Sequence, residues 1–155
     1  MHFPGISCLT LSAILLLMFP ALAQERKIQR SELPAAVENV IPAQSQGATI
    51  KGFNQEKENG QTFYEVELSI NGHSKDVLMD ASGAVVEVEE QVALDSLSTD
   101  VKEGLQAAAG KGKIVKVESL TKKGQLVAYE AQIVTAGKKA EVQVGPDGKR
   151  LDHEE

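Results

Sequence analysis

Most of the sequence is an internal duplication, which constrains the fold more than any other feature. A shift of 64 residues, which becomes 65 after one inserted residue, brings identical residues into register, among them Leu33 with Leu97, Val37 with Val101, Ile50 with Ile114, Gly60 with Gly124, Tyr64-Glu65 with Tyr129-Glu130, Gly72 with Gly137 and Gly83 with Gly148. The matches keep their order and need a single gap, as expected of a structural repeat. The sequence therefore predicts two copies of one small unit, over residues 24–92 and 93–155.

Each unit begins with a short helical pattern. In the first unit Pro34 suits an early helical position, and Val37, Val40 and Ile41 follow at helical spacing. In the second unit Ser98 is a predicted N-cap and Gly110 a predicted stop. Both helices are short and apolar on one side only, so each needs a surface to cover.

Four strands are predicted after each helix. In the first unit they cover residues 49–57, 61–70, 74–80 and 84–90, and the pairs Asn59-Gly60 and Asn71-Gly72 mark tight hairpins between them. In the second unit the corresponding turns are Lys123-Gly124, Ala136-Gly137 and Pro146-Asp147-Gly148.

The second predicted strand alternates in a way that indicates a sheet with one covered face. Its apolar residues Tyr64, Val66, Leu68 and Ile70 would face the helix, while Glu65, Glu67 and Ser69 would face away. The expected fold is α+β, with two tandem units of a short helix on a four-stranded antiparallel sheet. Because units of this size are marginal alone, we expect them to be coupled, as one continuous eight-stranded sheet.

The amino-terminal residues predict export. Residues 6–23 form an apolar run that ends in Ala21-Leu22-Ala23, which is typical of a secretory signal cleaved before Gln24. The alternative is a transmembrane anchor, since the run is near the lower length limit for a span. Export favours a periplasmic or secreted protein, with no stable membrane insertion after residues 1–23 are removed. The single cysteine, Cys8, lies in the signal, so the mature chain has no disulfide and no thiolate.

Charge is unevenly divided between the two units. Residues 24–95 hold 13 acidic and 6 basic side chains, a net charge of −7, whereas residues 96–155 hold 9 acidic and 10 basic side chains, a net charge of +1. A nucleic-acid or anionic-membrane binder would present a concentrated basic face. The sequence therefore predicts neither partner.

No residue pattern points to catalysis. His73 follows a predicted hairpin turn, and His153 lies in the acidic tail. A nucleophile elbow, a phosphate-binding loop and an HExxH pattern are all missing from the sequence. We predict a protein that is not an enzyme, with no cofactor and no metal centre. Asp80-Ala81-Ser82-Gly83 resembles a cation loop only superficially, because Asp and Gly at these positions are ordinary turn residues.

An acidic sheet face in the first unit is the candidate site. By alternation its predicted protein-binding residues are Phe63, Glu65, Glu67, Glu87 and Glu89. Three interpretations stay open. The face could be a solvated surface kept from aggregating by its charge, a docking surface for a basic partner with Phe63 as an apolar anchor, or a weak divalent-cation site.

The repeated pattern of turns and strands resembles the PepSY family, in particular its tandem form, the PepSY-like β-lactamase-inhibitor-like proteins. The resemblance is carried by Tyr64-Glu65-Val66, Gly72, Val77 and the run from Asp80 to Val86, and again by Tyr129-Glu130, Gly137, Val142 and Asp147-Gly148-Lys149. It implies an extracytoplasmic, non-catalytic module that binds another envelope or secreted protein through the open sheet face, as an inhibitor of a peptidase or another hydrolase. The alternative is a passive envelope protein, or a weak cation binder, with no specific protein target.

Overall fold

One antiparallel sheet of eight strands dominates the computed structural model, which describes residues 24–151 together with residues 153 and 155. Each strand pairs with the strand that follows it in the chain. The strands are β1 (Gln24–Ile28), β2 (Thr49–Glu58), β3 (Gln61–Ile70), β4 (His73–Asp80), β5 (Val85–Gln91), β6 (Lys113–Lys122), β7 (Gln125–Thr135) and β8 (Lys138–Val144). The predicted α+β fold with one continuous eight-stranded sheet is confirmed. The predicted signal, residues 1–23, lies outside the described residues.

The hairpin residues place β2 to β5 within one or two residues of the sequence-based bounds. Asn59 and Asn71 have φ of 49° and 51°, and each is followed by a glycine that also has positive φ. This left-handed pair is the two-residue turn whose twist matches that of the flanking strands. Lys123 and Ala136 adopt the same conformation in the second unit, at φ of 50°.

The first helical segment is broken into two short helices, α1 (Ala35–Glu38) and α2 (Ile41–Gln44), where the sequence predicts a single helix. Pro42 lies at the start of α2 and has no N–H to donate to the carbonyl of Glu38. Between the two helices the chain therefore forms a 3-10-type hydrogen bond, which the Val40 N–H donates to the Val37 carbonyl.

The second helix, α3 (Thr99–Ala109), has the predicted ends. Ser98 is its N-cap, with Oγ accepting from the Val101 N–H at 3.4 Å, and Gly110 is its C-cap at φ 57°. Two short 3-10 turns, Arg30–Glu32 and Leu94–Ser96, precede the helical segments of the two units.

The eight strands are not divided four and four. Strand β1 pairs with β2 at one edge of the sheet, and the sequence analysis did not predict it. After β8, the predicted fourth strand of the second unit is reduced to one isolated bridge between Val144 and Arg150. The equivalent strand β5 is held between β4 and β6, whereas the segment after β8 has a strand on one side only.

All three helices pack on one face of the sheet, in two separate hydrophobic clusters. Val37 and Ile41 lie against Val66, Val77 and other core residues of the first unit. Val101 and Leu105 lie against Val117, Ala131 and other core residues of the second unit. Strands β5 and β6 join the two units in register from Glu87–Lys122 to Gln91–Glu118. The opposite side of the sheet, which we call the open face, carries no helix of the described residues.

The duplication extends to close backbone contacts. Gly83 and Gly148 occupy equivalent turns at φ of 84° and 78°. A Cβ on Gly83 would lie 2.6 Å from the carbonyl oxygen of Ala36, and one on Gly148 would lie 2.2 Å from that of Asp100. Since Ala36 and Asp100 are also equivalent in the repeat, each unit rests the same turn on the same helical carbonyl.

Candidate protein-binding face

The five predicted site residues lie on the open face of β3 and β5, and β4 brings them together. In register, Glu65 lies beside Leu78, which lies beside Glu87. One step along the strands, Glu67 lies beside Asp76, which lies beside Glu89. Cross-strand partners share a face of the sheet, so the three strands form one continuous acidic surface.

A partly apolar groove of about 710 Å³ lies at the end of this surface where Phe63 is found. Its large apolar side chains are Phe63, Leu78 and Val86. Val86 lines the groove because β5 has a bulge there: Leu78 pairs with Glu87 and Met79 with Val85, so Val86 is the extra residue. The polar rim includes Asp80, Glu87 and Lys122.

Next to the groove lies a small acidic pocket of about 60 Å³. Five carboxylates surround one apolar side chain there, and the full lining is Glu56, Glu65, Asp76, Leu78, Glu87 and Glu89. These side chains are all half-buried. Leu78 and Glu87 also line the groove, so the two cavities are contiguous.

Burial and mutual repulsion favour the protonated forms of these acids. Burial, followed by repulsion from Glu118, Glu130, Glu87 and Asp76, raises the pKa of Glu89 to about 8. Burial raises the pKa of Glu65 to about 7, against a hydrogen bond from Asn54 that lowers it.

The remaining acids of the pocket shift in the same direction. Burial raises the pKa of Asp76 to about 6, with Glu118 adding repulsion and Lys116 opposing it. Burial also raises the pKa values of Glu56 and Glu87, the latter against the attraction of Lys122. All five acids of the pocket therefore have pKa values above those of solvated carboxylates.

Asn54 holds one wall of the acidic surface in place. It is 1% exposed, and its Nδ2 donates to Glu65 Oε2 at 2.6 Å and to Glu67 Oε1 at 3.0 Å. Its Oδ1 has no hydrogen-bond partner among the described residues. Beside it, Gly52 leaves room for the Glu67 carboxylate, since a Cβ there would lie 2.5 Å from Glu67 Oε2.

In the second unit, Glu118 and Glu130 on the same face each have a close side-chain partner. Glu118, the repeat equivalent of Asn54, is 3% exposed, and it accepts from the Lys116 Nζ at 2.5 Å and from the Ser74 Oγ at 3.2 Å. Glu130 accepts from the Gln143 Nε2 at 2.9 Å. Where the two units meet, the Lys122 Nζ lies 3.6 Å from Glu87 Oε2.

Three carboxylates from neighbouring strands approach one another closely enough to share a cation. Asp76, Glu89 and Glu118 each offer an oxygen within 4.8 Å of the others. Carboxylate oxygens suit Ca²⁺, which takes six to eight oxygen ligands. The three residues would supply part of such a set.

Glu56 and Asp76 line the pocket but were not among the predicted site residues, although for Asp76 the sequence carries a signal. On β4, Val77 and Met79 are core residues, so the same alternation that placed Glu65 also places Asp76 and Leu78 on the open face. The bulge at Val86 left no comparable signal.

Asp80 forms an ordinary turn, as the sequence predicts. The Asp80 carboxylate accepts from the N–H groups of Ser82 and Ala84 at 2.8 and 3.1 Å, which closes the turn after β4. The Ser82 hydroxyl donates to the same oxygen, and these bonds hold the pKa of Asp80 below its usual value. His73 and His153 are both exposed.

Comparison with solved structures identifies the same architecture in Bacteroides proteins. A DUF2874 family protein from Bacteroides ovatus is 17% identical, with a TM-score of 0.60 over 77% of this chain and 85% of that chain. A BLIP-like protein from Bacteroides fragilis is 18% identical, with a TM-score of 0.55 over 75% and 81% of the two chains. A candidate periplasmic protein from Bacteroides eggerthii is 16% identical, with a TM-score of 0.63 over 77% and 86%.

These likenesses show the fold, at identities too low to transfer a function. No known family profile matches the sequence, and no curated protein matches it. Within the described residues, no helix has the length and apolar character needed to cross a membrane. The chain thus shares the fold of DUF2874 and BLIP-like proteins, while its narrower PepSY-like assignment stays a prediction.

Proposed function

We propose that the protein is an exported, non-catalytic binding module of the periplasm that recognises another protein through the open face of its sheet. The PepSY-like resemblance and the BLIP-like fold both support this class of function. Inhibition of a peptidase or another hydrolase is the form of binding that the resemblance implies. Phe63, Glu65, Glu67, Glu87 and Glu89 are the proposed contact residues.

The observation that carries the proposal is the partial burial of acids on a face that no helix of the described residues covers. Helices α1, α2 and α3 pack on the other side of the sheet. Even so, Glu65, Glu87 and Glu89 are half-buried with raised pKa values, at a cost that a plain solvated surface would not require. A basic partner would relieve this cost, and its opposite charge would also steer its approach.

Capture from the native envelope fraction tests the proposal. The bait is the protein recovered after expression of the full chain, compared with a variant in which Glu65, Glu67, Glu87 and Glu89 are changed to Lys. A second variant carries Gln at the same four positions, which removes charge with little change of shape. We expect a partner that the native protein retains and that both variants lose.

A control for charge alone changes Asp95 and Glu103 to Lys, both exposed and outside the open face. This control should keep the partner. Equal recovery of every captured protein by the native chain and the two open-face variants would refute the proposal.

The second candidate function is weak divalent-cation binding without a protein target. The observation in its favour is the close approach of Asp76, Glu89 and Glu118. Calorimetry with Ca²⁺, together with the melting temperature in millimolar Ca²⁺, would decide it. Heat and a raised melting temperature that Asp76→Asn abolishes would support a cation site. No heat and no shift would remove it.

A further inference from the structure

The groove and the acidic pocket are two parts of one recess with different chemistry. They share Leu78 and Glu87. The groove alone adds the apolar side chains of Phe63 and Val86, and the pocket alone adds Glu65 and Glu89. A ligand that fills both parts must carry an apolar group next to a cationic one.

The volumes fix which part of the ligand goes where. The pocket, at about 60 Å³, has room for one head group, whereas the groove, at about 710 Å³, has room for a chain segment with its side chains. The pocket walls are carboxylates, which accept hydrogen bonds when ionised. A lysine ammonium or an arginine guanidinium offers donors only, and so complements them.

Two lysines of the groove orient the ligand. Lys122, the last residue of β6, and Lys123, in the turn that follows, line the groove but not the pocket. Lys122 already lies near Glu87, and its charge repels a basic group placed at that rim. The cationic head group of a ligand is therefore directed to Glu65 and Glu89. Asn54 holds Glu65 in position for it.

We propose that this recess binds a basic loop of a partner protein, with a Lys or Arg head group in the acidic pocket and a neighbouring apolar side chain over Phe63, Leu78 and Val86. The proposal rests on the proposed function and names the chemistry of the partner. A protein loop presents both groups at adjacent positions on a preformed backbone, which lowers the entropy lost on binding.

Selection from a displayed library of short disulfide-closed loops tests the proposal, with the protein recovered from the full chain as bait. Loops that bind should be enriched in Lys or Arg next to a large apolar residue. The variant Glu65→Gln/Glu89→Gln should no longer select the basic residue, and Phe63→Ser should no longer select the apolar one. For a selected loop, we expect the double variant to weaken binding about tenfold or more. Glu103→Gln, on helix α3, should select the same loops as the native chain.

Loss of folding is not expected to explain a loss of binding, because Glu65→Gln/Glu89→Gln removes two half-buried acids that neighbouring carboxylates repel and should raise the melting temperature at neutral pH. The proposal is overturned if no loop binds, if the bound loops lack the basic and apolar pair, or if the double variant selects the same loops. Suppose that one of these results is obtained while the open-face variants still lose the partner captured from the envelope. The partner chemistry is then refuted, and the proposed function stands. Retention of that partner by the open-face variants refutes the proposed function itself.

Discussion

The two halves of the open face share one backbone and differ in the treatment of charge. In the first half, strands β2 to β5 gather Glu56, Glu65, Asp76, Glu87 and Glu89 around Leu78. In the second half, which consists of strands β6 to β8, Leu120 lies at the position equivalent to Glu56 of the first half. Gln132 lies at the position equivalent to Glu67. Two of the acids on this half have close partners, since Glu118 pairs with Lys116 and Glu130 accepts a hydrogen bond from Gln143. After the duplication, the scaffold was kept while the charge on one face diverged.

The polar residues below the open face show the same divergence. Asn54 and Glu118 are equivalent in the repeat, and both are buried. In the first half the amide of Asn54 holds two carboxylates, Glu65 and Glu67, in place. In the second half Glu118 itself is the acid that is held, by Lys116 and Ser74. One position thus holds an amide that supports two acids in one unit and an acid that pairs with a lysine in the other.

The largest expected effect tests the shared scaffold. Gly148→Ala should destabilise the fold by about 3–4 kcal/mol, because the new Cβ would meet the Asp100 carbonyl in a left-handed conformation. Gly83→Ala should cost a similar amount at the Ala36 carbonyl. Gly60→Ala is the matched control, since Gly60 has the same φ of 78° with no atom within 4 Å of the new Cβ. It should cost only about 1–2 kcal/mol in denaturant unfolding. Equal losses at Gly60 and Gly148 would contradict the close contact.

The next effect tests whether the two units unfold together. Leu105→Ala empties a fully buried position of the second cluster and should cost about 3 kcal/mol. The chain has two tyrosines, Tyr64 in the first unit and Tyr129 in the second, so Tyr64→Phe and Tyr129→Phe each leave one fluorescent probe. If the β5–β6 pairing couples the units, both probes should report the same lowered midpoint. A shift at Tyr129 without one at Tyr64 would show independent units.

The third effect is a pH dependence that comes from the first half. The pKa values of Glu89, Glu65 and Asp76 are raised to about 8, 7 and 6, from ordinary values of 4.5, 4.5 and 3.8. Between the ordinary and the raised values the folded state binds more protons than the unfolded state, so stability falls as pH rises from about 4 to about 8. After allowance for solvent screening, we expect a loss of roughly 1–3 kcal/mol over this range.

The groups that set this pH dependence are all on neighbouring strands. Those facing Glu89 are the carboxylates Asp76, Glu87, Glu118 and Glu130. Lys116 faces Asp76, and Lys122 faces Glu87. Glu89→Gln should flatten the stability profile between pH 6 and pH 8, as measured by thermal unfolding at a series of pH values. A native chain that is equally stable across this range would show that these acids are solvated.

Local sequence signals predicted much of the fold and part of the site. Paired residues such as Asn59-Gly60 fix a turn by backbone conformation alone, and the alternation around Val66 fixes which face is buried. Strand β1 escaped prediction because QERKI has a single buried residue, Ile28, and its pairing depends on β2, which is distant in sequence. The second short helix of the first unit, α2, which contains Pro42, was not predicted.

The site required information that only the tertiary structure supplies. Alternation assigned Glu65 and Glu89 to one face, but their partial burial depends on how the sheet surrounds them. Leu120 and Ala128, also on the open face, are 3% and 0% exposed although no helix of the described residues covers them. The bulge that turns Val86 into the groove is a pairing irregularity with no clear local signal.

The central claim is that the first half of the open face, and not the second, binds the partner. Equivalent acids in the repeat allow a matched test: Glu65→Gln/Asp76→Asn in the first half and Glu130→Gln/Glu141→Gln in the second remove the same two charges from equivalent positions. The measurement is the affinity of each variant for the partner captured by the native protein. We expect the first pair to weaken binding about tenfold or more and the second pair to leave it within about twofold. Equal affinities for the two variants, or a larger loss for the second, would contradict the account.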